Sequence, residues 1–215
     1  MRSLKIKSAF LALMVLLISP ALISCGSRAD DKDEVAVIET LYGPIVIEFY
    51  PDSAPKNVAH FKELVRENFY DGTRFFRIAT DVDKKTPLAL QGGDPNTINN
   101  APSTWGQGQP NQKTVVGEFT TKYKHERGTV SMMHGQKDPN SATSQFFICI
   151  KSAPQLDGQY SIIGHVVEGQ GMNVVESIMR RMPQIPADIE ADKDPRLVKR
   201  IYLIKRDELK NLAAQ

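Results

Sequence analysis

Residues 141–150 read Ser141-Ala142-Thr143-Ser144-Gln145-Phe146-Phe147-Ile148-Cys149-Ile150. Beyond Gln145 every residue is apolar and mostly aromatic or β-branched, the composition of a strand. Successive side chains of a strand point to opposite faces. Gln145, Phe147 and Cys149 therefore share one face, and Phe146, Ile148 and Ile150 share the other. The second face is wholly apolar and reads as core. The first sets an amide beside an aromatic ring, a pair suited to clamping a peptide backbone next to an apolar socket. Taken alone, Phe147 reads equally well as further core.

Outward from this strand the pattern is of short strands and few helices. Val35 to Leu41 and Ile45 to Tyr50 are β-rich runs around Tyr42-Gly43-Pro44, which predicts a hairpin. Asp52 or Ser53 can cap a helix with Pro55 in its first turn, and Val58, Phe61, Leu64 and Val65 recur at helical spacing to about Glu67. Further strands are expected at Arg74–Ile78 and near 114–119, 128–133, 161–167 and 197–205. Residues 80–113 show little regular pattern. A second helix is predicted from about Met172 to Arg181, with Met172, Val175, Ile178 and Met179 on one face. Many strands with two helices argue for an antiparallel barrel or sandwich and against a doubly wound sheet.

The first 24 residues read as an address. Arg2, Lys5 and Lys7 precede an apolar run from Ala9 to Ile18, shorter than the roughly 20 residues a spanning helix needs. Leu22-Ile23-Ser24-Cys25 resembles a bacterial lipobox, which implies cleavage before Cys25 and lipidation of its thiol. A plain N-terminal anchor is the competing reading. Residues 25–34 are polar and charged and read as a flexible tether. The expected location is a bacterial cell envelope, with the domain lipid-anchored and facing an extracytoplasmic space, either periplasm or cell surface. Removing residues 1–24 leaves 24 of the 27 basic residues against 25 acidic ones. A near-neutral chain without a basic block gives no electrostatic case for nucleic acid. Two cysteines exclude a disulfide-rich scaffold, and the four histidines are too scattered for ligand spacing, so no metal is expected. No nucleophile elbow supports a Ser/His/Asp triad.

Four segments occur in an order that resembles the cyclophilins: Phe69-Tyr70-Asp71-Gly72-Thr73-Arg74-Phe75-Phe76-Arg77-Ile78, Gln91-Gly92-Gly93-Asp94-Pro95, residues 141–148, and Leu156-Asp157-Gly158. The similarity spans about residues 35–206, followed by a tail at 207–215. It implies a mostly β fold, a closed eight-stranded antiparallel β-barrel capped by two α-helices. It also implies peptidyl-prolyl cis-trans isomerase activity on proline-containing polypeptides, with no cofactor and as a monomer.

The chemistry fits these residues. Rotation about an X–Pro bond faces a barrier of about 18–20 kcal/mol but makes and breaks no bond, so no nucleophile, metal or cofactor is needed. A permanent cation can stabilise the twisted amide, and Arg77 is the candidate. By resemblance Gln145 assists it, Phe147 floors the proline pocket, and Gln91 hydrogen-bonds peptide and arginine. Met132, Leu156, Tyr160 and Leu88 are expected as pocket wall, and His134 as a groove contact. The link Ala79–Leu90 is about six residues longer than the family's usual one. Leu88 and Ala89 stand where the family has Phe and Met, and residues 79–88 read as a mobile surface excursion. Gln155 replaces a family tryptophan, and Tyr160 a family histidine. A non-catalytic, chaperone-like peptide binder is the alternative that these departures leave open.

Overall fold

The structure is a computed structural model and describes residues 33–81, 83, 85–99, 101–184 and 189–212. The expected signal peptide, Cys25 and the tether through residue 32 lie outside the described residues. Glu34–Thr40 (β1) and Gly43–Phe49 (β2) form the hairpin, in register from Val35 opposite Glu48 to Thr40 opposite Gly43. Helix Pro55–Arg66 (α1) follows, then Arg77–Thr80 (β3) and Pro87–Gly92 (β4). Thr129–Met132 (β5), Phe146–Cys149 (β6) and Ile162–Val166 (β7) precede helix Met172–Arg181 (α2). Val198–Lys205 (β8) and the one-turn helix Leu209–Leu212 (α3) end the described chain.

The strands form one antiparallel sheet of eight, ordered β3-β4-β6-β5-β7-β2-β1-β8. The sheet is not the closed barrel expected: it is an open, curled half-barrel whose edge strands β3 and β8 do not pair. The reason lies just ahead of β3. Phe75 donates its N–H to Arg196 O at 2.9 Å, on the β8 side, while Phe76 donates to Gln91 O at 2.9 Å, on β4. The chain thus changes partners within one residue. An isolated bridge between Arg74 and Leu197 spans the seam in place of a ladder.

Two further expectations change. The strand near 114–119 is a single bridge from Val115 to Ala142, and the eighth strand is instead β4, inside the segment read as irregular. The excursion at 79–88 is largely a hairpin: β3 and β4 pair as far as Thr80 and Pro87, and Asp81 donates its N–H to Thr86 O at 2.9 Å. At its tip Asp83 accepts from the Thr86 hydroxyl and from the backbone N–H groups of Thr86 and Lys85, the latter two at 2.9 Å, which together hold its carboxyl down at about 2.

The concave side holds the main core. Phe61 from α1 meets Phe146 edge-on with ring centroids 5.5 Å apart, and Tyr70 meets Phe146 edge-on at 5.8 Å. Such pairs add about 0.5–1.5 kcal/mol each beyond area burial. The buried face of α1 carries Val58, Phe61, Leu64 and Val65, as its spacing predicts. Its N-terminus is not capped by Asp52 or Ser53. Glu118, distant in sequence, accepts from the backbone N–H of Asn57 at 2.9 Å and of Lys56 at 3.2 Å. A carboxylate there satisfies helix donors left unpaired and complements the helix dipole. Gly93 sits at φ +83, and a Cβ there would come within 2.6 Å of Ser144 O. Only glycine lets the end of β4 lie so close to the approach to β6.

Candidate active site

Strand register assembles the site. Arg77 on β3 lies opposite Gln91 on β4, Gln91 opposite Phe147 on β6, and Phe147 opposite Ser131 on β5. Residues 54 positions apart in the chain, such as Gln91 and Gln145, thereby come within hydrogen-bonding reach at 2.9 Å. Neighbouring strands lie about 4.8 Å apart, so Arg77 stands about 10 Å from Phe147 along this row.

The row opens into a cleft of about 550 Å³ on the convex side. Its apolar end is built by Leu88, Ala89, Met133, Phe147, Leu156 and Tyr160. Its polar end is built by Gln107, Gln109, Gln112, Ser141 and Thr143. Arg77, Gln91, Gln145 and His134 also line it, and no carboxylate is among the lining residues. Arg77 is exposed and makes no side-chain hydrogen bond or ion pair among the described residues. Its charge is therefore available to a ligand.

Beside it the two glutamines are locked together. Gln91 Nε2 donates to Gln145 Oε1 at 2.9 Å, and Gln145 Nε2 donates to Gly106 O at 3.1 Å. Gln91 Oε1 is buried without a partner, so an acceptor remains beside Arg77. Tyr160 stands edge-on to Phe147 at 5.2 Å and stacks on His134 at 4.6 Å, extending the aromatic wall. Eight of the nine cleft residues expected from the sequence line it: Arg77, Leu88, Gln91, His134, Gln145, Phe147, Leu156 and Tyr160. Met132 does not. It faces the main core opposite Phe146, and its neighbour Met133 lines the cleft instead. Strand alternation carries the reason: Ser131 pairs with Phe147 on the cleft side, which sends Met132 inward.

Behind Phe147 lies a feature that the sequence did not disclose. Ser131 Oγ and His125 Nε2 are 3.0 Å apart, and His125 Nδ1 lies 3.0 Å from Asp157 Oδ1. The imidazole stacks against Phe147 at 6.1 Å and 17°. A Ser–His–Asp chain invites a hydrolytic reading, and the burial excludes it. Ser131 and the His125 side chain are 0% exposed, so no substrate carbonyl can reach the hydroxyl. The chain instead packs behind the Phe147 ring. Burial pushes the His125 imidazole below its ordinary pKa, although Asp157 pulls the other way. Burial also pushes the Cys149 thiol up to about 12, with the Asp157 carboxylate adding to it, so Cys149 is an inert buried thiol. The rim is tied to the β3–β4 hairpin: Lys151 Nζ lies 3.3 Å from Asp81 Oδ2, and Gln155 Nε2 lies 3.4 Å from Asp81 Oδ1.

The surface cleft thus sets a free guanidinium beside an apolar aromatic socket, with paired amides along its wall. Among the described residues it contains no exposed nucleophile–base pair. Residues 35–205 match the family model of cyclophilin type peptidyl-prolyl cis-trans isomerases, and the chain belongs to that family. It is 36% identical over 175 residues to a Brucella abortus protein named a probable peptidyl-prolyl cis-trans isomerase, covering 81% of this chain and 86% of that one. It is 31% identical over 147 residues to a Helicobacter pylori peptidyl-prolyl cis-trans isomerase, covering 68% of this chain and 81% of that one. A solved Cryptosporidium parvum cyclophilin, crystallised in the presence of the dipeptide Ala-Pro, superposes with a TM-score of 0.58 at 26% identity. That match covers 80% of this chain and 99% of the other. The protein is a peptidyl-prolyl cis-trans isomerase.

Proposed function

We propose that the cleft isomerises X–Pro bonds by seating the proline ring on Phe147, between Leu156, Leu88, Met133 and Tyr160, while Arg77 donates to the twisting amide. The observation that carries this is the unpaired guanidinium of Arg77 in the same cross-strand row as Phe147. In the twisted amide, resonance is lost and the imide nitrogen regains a lone pair. A fixed donor there lowers the barrier without any covalent step. Gln145 and Gln91 hold each other and would meet the substrate backbone; the hydrogen bond expected from Gln91 to the arginine is not made. Arg77→Ala is expected to keep the fold and to lower kcat/KM on a short X–Pro peptide by about 10²–10³-fold, roughly 2.7–4 kcal/mol. Arg77→Lys should restore only part of this, because a point charge does not copy a planar fork. Equal rates for Arg77→Ala and wild type would remove this residue from the mechanism.

The physiological role we infer is folding assistance to exported or envelope proteins by a lipid-anchored form. The support is the leader and lipobox at 1–25 and the polar stretch after it. Acyl chains contribute about 0.8 kcal/mol per buried methylene, and two or more give stable anchoring. Metabolic labelling with a fatty acid should mark the wild type and not Cys25→Ala. An unlabelled wild type that partitions into the aqueous phase of a detergent extraction would overturn the anchor.

A further inference from the structure

Arg77 is a partition between two cavities. On its far side from the proline socket lies a second depression of about 580 Å³, which shares Arg77, Gln91, Gly106 and Gln107 with the main cleft. Its own walls are Phe76, Pro102, Trp105 and Arg196. The two arginines are the only charged residues of this lining. Behind the wall, Asp194 is shared by two guanidinium groups: Arg74 Nε lies 2.9 Å from its Oδ2, and Arg196 Nη2 lies 2.8 Å from the same oxygen. One carboxylate against two arginines leaves an excess positive charge. Arg74 is 10% exposed in its side chain and Asp194 only 2%, so the face this network presents is that of Arg196. Arg196 is held rigidly: its Nε also donates to Asp194 Oδ1 at 2.9 Å, and its guanidinium lies 5.0 Å from the Trp105 ring centre. Its Nη1 has no partner among the described residues. A fixed guanidinium with free donors binds carboxylates at little cost in ordering.

We propose that this depression is a specificity subsite for a carboxylate side chain, an Asp or Glu of the substrate within a few residues of the isomerised proline. The inference rests on the isomerase reading of the main cleft and adds a substrate preference to it. A chain lying in the cleft reaches the depression directly, because the two share a wall, and each extended residue advances about 3.3 Å. The occupant belongs to the substrate itself, which distinguishes this from a site for free anions.

The test uses the full chain in detergent and proline peptides in which one Glu is walked through the flanking positions, each paired with its Gln isostere. Trp105 is the only tryptophan of the chain and lines the depression, so its fluorescence reports occupancy independently of turnover. One position is expected at which Glu exceeds Gln about fivefold to tenfold in kcat/KM and shifts the Trp105 emission, with both effects shrinking at about 0.5 M salt. Arg196→Gln should abolish the difference while turning over the Gln peptides like wild type, and Arg196→Lys should retain it. If Arg196→Gln fails to fold, the comparison of Arg196→Lys with wild type and the Trp105 titration still decide. Indifference to Glu at every position, or a preference that survives Arg196→Gln, overturns the proposal. A free carboxylate such as acetate producing the same Trp105 shift as the Glu peptide would also overturn it. Failure to turn over any peptide, with the Trp105 response intact, would count against the isomerase reading and not against the subsite.

Discussion

The two faces of β6 carry nearly the same kind of residue and have opposite uses. Phe146 and Ile148 point inward, are 0% exposed, and pack against Phe61, Tyr70 and Phe75. Phe147 and Cys149 point outward and are almost as buried, at 2% and 0%, yet they sit in a small cluster with Leu88, Ala89 and Ala153 beneath an open cleft. The inner face is filled by the protein itself. The outer face lies beneath an open cleft, and His125 stacks on it from behind. Burial alone therefore does not distinguish a core phenylalanine from a site phenylalanine; what stands over the ring does.

Truncation of the two rings should separate these roles most strongly. Phe146→Ala leaves a closed cavity in the main core and should cost about 3–5 kcal/mol of unfolding free energy. Phe147→Ala opens onto a cleft that water can enter, so its stability cost should be smaller, while kcat/KM falls at least about tenfold. Denaturant melts and peptide assays on both variants check this. Equal destabilisation with equal activity would erase the distinction between the faces.

A smaller effect should come from His125. The folded-state pKa of His125 is depressed by burial, so below its ordinary value of 6.5 the unfolded chain takes up a proton that the native chain refuses. Stability should be fully present above pH 6.5 and fall as the pH drops from there toward the folded pKa, with a slope no steeper than about 1.4 kcal/mol per pH unit. Asp157, held below the usual carboxylate range by its His125 and Lys124 contacts against the effect of burial, adds a separate loss at lower pH. His125→Gln should flatten the first step and loosen Phe147. Identical pH profiles for this variant and wild type would show that the imidazole carries no linkage.

The smallest effect on stability should come from the β3–β4 hairpin on the outer side. Replacing residues 81–86 by a short Pro-Gly link removes exposed turn contacts and the Asp81 tie to Lys151 and Gln155. The melting temperature should move by only a few degrees, while peptide preference changes because Ala79, Thr80 and Leu88 line the cleft. Collapse on trimming would make the hairpin part of the fold's support.

Much of this was legible locally. The alternation in residues 145–150 assigns each side chain to a face because strand geometry has a fixed period of two. The face of α1 follows in the same way from Val58, Phe61, Leu64 and Val65. β4 was not legible: Pro87, Ala89 and Gly92 are poor strand formers, and the strand exists because β3 and β6 pair with it on both sides. The run 114–119 erred the other way. It has strand-like residues but finds one bridge, and its Val116 and Phe119 stay 46% and 41% exposed.

The sequence by itself determined which residues could do chemistry and which faces of the strands and helices are apolar, since both depend on side-chain type and local period. Only the tertiary structure decided that Arg77, Gln91, Phe147 and Ser131 form one row, that Met132 turns inward, that Glu118 caps α1, and that Ser131, His125 and Asp157 join behind the pocket. These juxtapositions arise from strand order and register. Pairings between residues distant in the chain are set by the collective packing of the whole sheet, which no local pattern encodes.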